Sequence, residues 1–250
     1  MNNYSITAQG TTTANVTAKA LTYTVSASDK TYDGGTSATA TLSLSGFIGS
    51  ETVTVSANAA TFSDKNVGTD KTVTVNSITL ADGDNGGVTT NYSIATGNTT
   101  TADITAKALT IGGITASNKT YDGNTTATIS VASATFTGLV EGDSVTVSAT
   151  GVFDNKNVGT GKTVTLTETN AGDDVNNYSI TAQGTTTANV TAKALTYTVS
   201  ASDKTYDGGA TATATLSLSG FIGSETVTVS ANAATFSDKN VGTDVLITEG

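Results

Sequence analysis

The sequence predicts an all-β chain of small antiparallel β-sandwiches of immunoglobulin-like type, arranged end to end in tandem. Three observations carry that expectation. Residues 2–70 recur as residues 176–244 with only Thr36 (Ala210) and Ser37 (Thr211) changed, and a diverged copy lies between them. Short stretches such as Thr52-Val53-Thr54-Val55 alternate Val with Thr, which puts Val on one face of a strand and Thr on the other. No segment carries the 3.6-residue apolar period of an amphipathic helix.

Within the first full copy the strands expected in order are 21–27, 38–45, 51–57, 60–62, 71–80, 90–95 and 100–109. Gly, Asn and Asp punctuate them. Seven short strands with one apolar face suit two packed sheets. A parallel β-helix would instead show a turn-to-turn period near 20 residues, and none is present.

The tetrapeptide Tyr32-Asp33-Gly34-Gly35 returns as Tyr121-Asp122-Gly123-Asn124 and Tyr206-Asp207-Gly208-Gly209, spaced 89 and 85 residues apart. Those periods are too long for a stacked solenoid unit and match a small domain. The reading is therefore the tail of a preceding repeat over 1–19, repeats over 20–107 and 108–193, and a truncated repeat over 194–250. The stretch 100–110 runs from one unit into the next without a Gly/Ser or Pro-rich linker, which predicts a semi-rigid connection. The incomplete ends read as an excerpt of a longer array, with any export signal or anchor outside it.

Composition narrows the function classes. The chain has no Cys, His or Trp, so disulfide staples, the usual zinc ligands and the neutral-pH acid–base side chain are missing. A net charge of −10 disfavours nucleic acid and anionic lipid as partners. No apolar run approaches the length of a membrane span. A Ser or Thr nucleophile would have only Lys or a carboxylate as base, and no Gly-rich phosphate loop leads from a strand into a helix. The expectation is a non-catalytic chain.

Asp33-Gly34-Gly35 is a turn signature, because Asp bonds its own backbone and Gly accepts positive φ. Tyr32 is expected to pack its ring on the core and bond through its hydroxyl. Lys65-Asn66-Val67-Gly68 reads as a second turn with Val67 inward. The alternative is that Tyr32 and Lys65 form a glycan platform.

An ordered set of motifs now carries a resemblance. Each copy has Lys-Thr-Tyr-Asp-Gly (Tyr32, Asp33, Gly34; Tyr121, Asp122, Gly123; Tyr206, Asp207, Gly208), then an acidic turn (Glu51, Asp143, Glu225) before a Val-Thr-Val strand. Lys-Asn-Val-Gly follows (Lys65, Asn66, Gly68; Lys156, Asn157, Gly159; Lys239 to Gly242). The complete copies end in Asn-Tyr-Ser-Ile, with Tyr92 and Tyr178, and Thr-Ala-Lys-Ala-Leu-Thr. The set resembles the YDG repeats, close to MBG-type repeats, of large bacterial surface and secreted adhesins, many of them similar to filamentous haemagglutinins. Family members often carry Pro where this chain has Ala18, Ala106 and Ala192, so the stiffening a Pro ring supplies is absent here. The resemblance implies an extracellular or bacterial cell-surface location and a stalk that projects a distal binding region. Its partners would be neighbouring repeats. The alternative is a weak site on each repeat for host glycan or matrix, acting by avidity.

Two further chemistries fit the residue types. Asp82 and Asp84, and Asp173 and Asp174, gather oxygen ligands before the Asn-Tyr strands, as a calcium site would. An internal isopeptide bond could join Lys65 or Lys30 to an Asn, with an acid such as Glu51 nearby. The expectation is no cofactor, with calcium the alternative.

Overall fold

The computed structural model describes residues 3–5, 10–229, 234–243 and 247–249. Copy one supplies β1 (Lys19–Ala27), β2 (Lys30–Thr31), β3 (Ser37–Ala38), β4 (Ala40–Ser45), β5 (Val53–Phe62), β6 (Gly68–Asp82), β7 (Tyr92–Ile94) and β8 (Thr99–Thr105). Copy two supplies β9 (Lys107–Gly112), β10 (Thr115–Ala116), β11 (Lys119–Thr120), β12 (Thr126–Ala127), β13 (Ile129–Ser130), β14 (Thr135–Thr137), β15 (Thr146–Phe153), β16 (Gly159–Ala171), β17 (Tyr178–Thr181) and β18 (Thr185–Thr191). Copy three shows β19 (Thr196–Ala201), β20 (Thr211–Ala212), β21 (Ala214–Ser219), β22 (Ala234–Phe236) and β23 (Ile247–Glu249). The only helical elements among the described residues are two three-residue 3-10 turns, Thr89–Asn91 and Val175–Asn177. Among the described residues no helix is long and apolar enough to cross a membrane.

The chain is all-β, as expected, and its sheets are mixed. In copy one, β4-β1-β7 form a three-stranded sheet and β2-β8-β6-β5-β3 a five-stranded one. Most ladders are antiparallel, but β1 pairs parallel with β7 and β2 parallel with β8. Val/Thr alternation sets which face is buried and leaves the partner's direction open. The expected strands 51–57 and 60–62 are one strand, β5, whose pairing with β6 shifts register between Val55 and Ala57 and between Ala59 and Ala60. The bulges keep the ladder running across the interruption. The expected strand 100–109 divides at Ala106 into β8 and β9, which lie in different sheets. Residues 38–45 likewise divide at Thr39, and 90–95 shrinks to β7 behind a 3-10 turn.

Compactness cuts across the sequence periods. One compact unit comprises residues 1–111, 136–146 and 170–181, and the other comprises 112–135, 147–169 and 182–250. In the first unit a single core joins Tyr32, Phe62, Val73 and Ile104 of copy one to Leu109, Val145 and Tyr178 of copy two. Val73 and Val75 of β6 and Ile104 of β8 are at most 1 % exposed. Burying each such aliphatic side chain contributes about 1.5–3 kcal/mol. A smaller cluster of Leu21, Val53 and Tyr92 lies under β1 and β7, with Leu44, Phe47 and Leu80 against it. In the second unit β11-β18-β16-β15-β12 repeats the five-stranded arrangement, with Val164 and Val190 in the places of Val73 and Ile104.

Candidate functional site: the joint between consecutive repeats

The motif residues converge on one place in each unit. The Tyr-Asp-Gly turn forms as its chemistry dictates. Asp33 accepts the Gly35 amide (2.9 Å) and the Lys30 ammonium (2.6 Å), while Gly34 takes φ +80°. Lys30 comes first and the Gly35 amide second in holding the Asp33 carboxyl below its usual value. The same turn recurs at Asp122, which accepts the Asn124 amide, and at Asp207, which accepts that of Gly209. A Cβ on Gly34 would stand 2.8 Å from a methyl of Val140 in copy two, so Gly is needed for close approach as well as for its backbone angle.

The turn and the parallel ladder of β2 on β8 aim Tyr32 into the core, where it is 1 % exposed. Its hydroxyl donates to the Asp143 carboxylate (2.8 Å), as does that of Tyr178 (2.6 Å), and the two rings meet edge to face at 5.5 Å. Lys65 donates to the other Asp143 oxygen (3.1 Å) and to Asp174 (2.9 Å), with its ammonium 5.9 Å from the Tyr32 ring centre. Asp174 also accepts the Ser144 amide (3.0 Å). In the Lys-Asn-Val-Gly turn, the Val67 amide donates to the buried Asn177 side chain (3.0 Å), which in turn donates to Asn66. Tyr32, Lys65 and Asn66 belong to copy one, whereas Asp143, Asp174, Asn177 and Tyr178 belong to copy two. All seven lie within the first compact unit.

The electrostatics follow from this geometry. Burial pulls the Asp143 carboxyl upward, but the hydroxyls of Tyr178 and Tyr32 and the Lys65 ammonium outweigh it and hold it below its ordinary value. The Ser144 amide and then Lys65 lower Asp174. Asp174, Tyr32 and Asp143 together hold Lys65 as the ammonium, above its usual range. Burial and Asp143 raise Tyr32, and push Tyr178 up to about 12. An aspartate lowered on folding stabilises the fold fully above its unfolded value near ~3.9, and that contribution is lost as pH falls through the folded value. A tyrosine raised on folding stabilises fully below its unfolded value near ~10, and that contribution is lost as pH rises towards the folded value. Urea unfolding midpoints should therefore hold steady from about pH 5 to 9, fall below about pH 4, and fall again above about pH 10. Asp143→Asn should flatten the acid limb.

The joint recurs in the second unit. Tyr121 donates its hydroxyl to Glu225, Lys156 donates to the same oxygen at 2.6 Å, and Gly123 packs on Ile222. The Lys156 ammonium lies 5.8 Å from the Tyr121 ring centre, as Lys65 does over Tyr32. In each complete copy the acidic turn also binds that copy's own Asn-Tyr-Ser tyrosine, Glu51 taking Tyr92 at 2.7 Å as Asp143 takes Tyr178. A YDG domain model matches residues 17–102, 105–188 and 191–250. The chain belongs to the YDG domain family. No curated protein and no solved structure matches it.

The YDG tyrosine and the Lys-Asn-Val-Gly lysine thus form one half of a joint, and the next copy's acidic turn and Asn-Tyr-Ser strand form the other. The acidic turn marks each copy in the sequence, yet its role as acceptor shows only in three dimensions. Lys65 lies 78 and 109 residues from its two acids. The constant company of the acidic turn with the tyrosines and the lysine, copy after copy, is the signal that could have found it.

The other candidates fare differently. Among the described residues no group of three or more His, Cys, Asp or Glu is placed to hold a metal ion. Asp82 accepts the Thr89 amide, and the exposed Asp84 closes its loop through backbone bonds to Thr52 and Gly87. That loop presses so closely on the residue preceding β5 that a Cβ on Gly87 would stand 1.8 Å from the Thr52 carbonyl oxygen. Asp173 is exposed, and its neighbour Asp174 is engaged by Lys65. The residues offered for an isopeptide bond are engaged by other partners. Lys30 is held by Asp33 and the carbonyls of Gly35 and Ser37, Lys65 by two aspartates, and Glu51 by Tyr92. An ammonium stabilised by two carboxylates is a poor nucleophile.

Proposed function

We propose that the chain is a run of non-catalytic spacer repeats of a bacterial cell-surface or secreted adhesin, carrying a distal binding region away from the surface. One observation carries this reading. Where one copy is followed by another, the recurring motif side chains are spent inside the joint: Tyr32 is 1 % exposed, and its hydroxyl and the Lys65 ammonium are committed to acids of the following copy. A glycan platform needs an aromatic face open to solvent, and an avidity array would need one on each repeat. The lack of His and Cys and the engagement of the joint's carboxylates by Lys and Tyr suit a mechanical part better than a catalytic one. A net charge of −10 keeps parallel chains apart in such a setting.

The test pairs mechanics with binding. Single-molecule pulling on the wild-type chain and on Tyr32→Phe should show a lower unfolding force in the variant, while neither chain gives saturable binding on glycan and matrix-protein arrays. Saturable glycan binding by the wild type, lost in Tyr32→Phe with the melting temperature kept, would transfer the function to the repeats themselves.

A further inference from the structure

Each complete copy begins and ends in strands that run side by side in the same direction. In copy one β1 lies parallel to β7, from Lys19 against Tyr92 to Leu21 against Ile94. Further along, β2 lies parallel to β8, with Lys30 against Ile104 and Thr31 against Thr105. In copy two β9 runs parallel to β17 from Lys107 against Tyr178, and β11 runs parallel to β18 with Thr120 against Thr191. The entering and leaving strands are also inner strands of their sheets. β1 stands between β4 and β7, β8 between β2 and β6, β9 between β14 and β17, and β18 between β11 and β16.

β2 and β11 have two residues each, too few to hold firmly by ladder bonds alone. Other bonds reinforce both at the point where the chain leaves the copy. The Asp29 carboxylate accepts the Asp103 amide (2.7 Å), the Lys30 carbonyl accepts the Thr105 hydroxyl (3.3 Å), and the Thr105 carbonyl accepts the Tyr32 amide (2.8 Å). In copy two the same bonds run from the Asn189 amide to Asn118 (2.7 Å), from the Thr191 hydroxyl to Lys119 (3.3 Å) and from the Tyr121 amide to Thr191 (2.8 Å). Ala106 alone separates the end of β8 from β9. Tyr32 therefore grips the departing strand of its own copy through its amide and the following copy through its hydroxyl on Asp143.

We propose that the parallel pairs at the start and end of each copy are a load-bearing clamp, which makes a copy yield to tension by sliding rather than by peeling. Tension along the chain draws β1 backwards by its amino-terminal end and β8 forwards by its carboxyl-terminal end. In a parallel pair these pulls act at opposite ends of the two strands, so the bonds of the ladder strain together. In an antiparallel pair of first and last strands the pulls would meet at one end and open the ladder bond by bond. Because β1 and β8 each have a neighbour on both sides, withdrawing either one breaks two ladders. The Thr105 bonds to Lys30 and Tyr32 add to the barrier where the pull enters. The source of the tension rests on the spacer reading; the clamp names the strands and bonds that bear it.

Pulling the full chain by two pairs of handles tests this. The chain has no Cys, and Ala18, Thr90 and Ala106 are exposed, so cysteines there attach handles at chosen points and should leave the melting temperature unchanged. Ala18→Cys with Ala106→Cys loads copy one from its start to its end. Ala18→Cys with Thr90→Cys pulls β1 and β7 apart from the same end, and copy one should then yield at a lower force. Thr105→Val, which removes the hydroxyl bond to Lys30, should speed forced unfolding about fivefold through the first pair of handles and leave the second unchanged. Equal forces through the two pairs would overturn the clamp. So would a Thr105→Val effect that is absent or the same for both, since a bond that merely stabilises the fold has no preferred direction. These readouts involve no ligand, so their failure is distinct from the glycan binding that would overturn the spacer reading.

Discussion

Replacing Tyr32 with alanine is expected to destabilise the first compact unit by about 3–5 kcal/mol, the range for removing a buried aromatic side chain. The ring is 1 % exposed, packs edge to face on Tyr178 and lies under the Lys65 ammonium, so its loss opens a cavity where copy one meets copy two. Tyr32→Phe separates the hydroxyl from the ring. It removes one hydrogen bond to a charged acceptor and should cost about 1.5–3 kcal/mol. Tyr206→Ala is the internal control. The same residue type in the same motif is 56 % exposed there, and its loss should change stability by about 0.5 kcal/mol or less. Urea unfolding of the three variants checks the order.

Asp143→Ala is expected to be as damaging, by about 3–5 kcal/mol, for a different reason. This carboxylate, with its side chain 4 % exposed, is the shared acceptor of two tyrosine hydroxyls and a lysine. Alanine leaves two buried hydroxyls without their acceptor and Lys65 with Asp174 alone. Asp143→Asn keeps the shape and one acceptor oxygen, so its loss should be smaller. It should also weaken the fall in stability below pH 4, because the lowered carboxyl has gone. Equal unfolding midpoints for Asp143→Ala and wild type at neutral pH would remove this carboxylate from the account.

Much of this was legible in the sequence, for reasons that show in particular residues. The Thr52–Val55 alternation and the Asp33-Gly34 turn are local, and local chemistry decides both. The burial of Tyr32 and its hydroxyl bond likewise follow from an aromatic beside a tight turn. Three things were not legible. Alternation does not say that β7 runs parallel to β1, because face and direction are independent. The uninterrupted pattern of Thr100–Leu109 hides the break at Ala106, where the chain leaves one sheet for another without Gly or Pro to mark it. Finally, the acids that receive Tyr32 and Lys65 sit in the next copy, and pairing across more than 70 residues leaves no trace in composition or period. Asp174 shows the same limit, because the Lys65 that it shares with Asp143 comes from another copy.

The central claim is that the YDG tyrosine of one copy and the acidic turn of the next are bonded halves of a single joint. A double-mutant cycle of Tyr32→Phe with Asp143→Asn, read by urea unfolding of the full chain at neutral pH, tests it most directly. The joint predicts a coupling of about 0.5–3 kcal/mol, with the double variant less destabilised than the sum of the single ones. Additivity within about 0.3 kcal/mol would contradict it, placing the two side chains in separate structures.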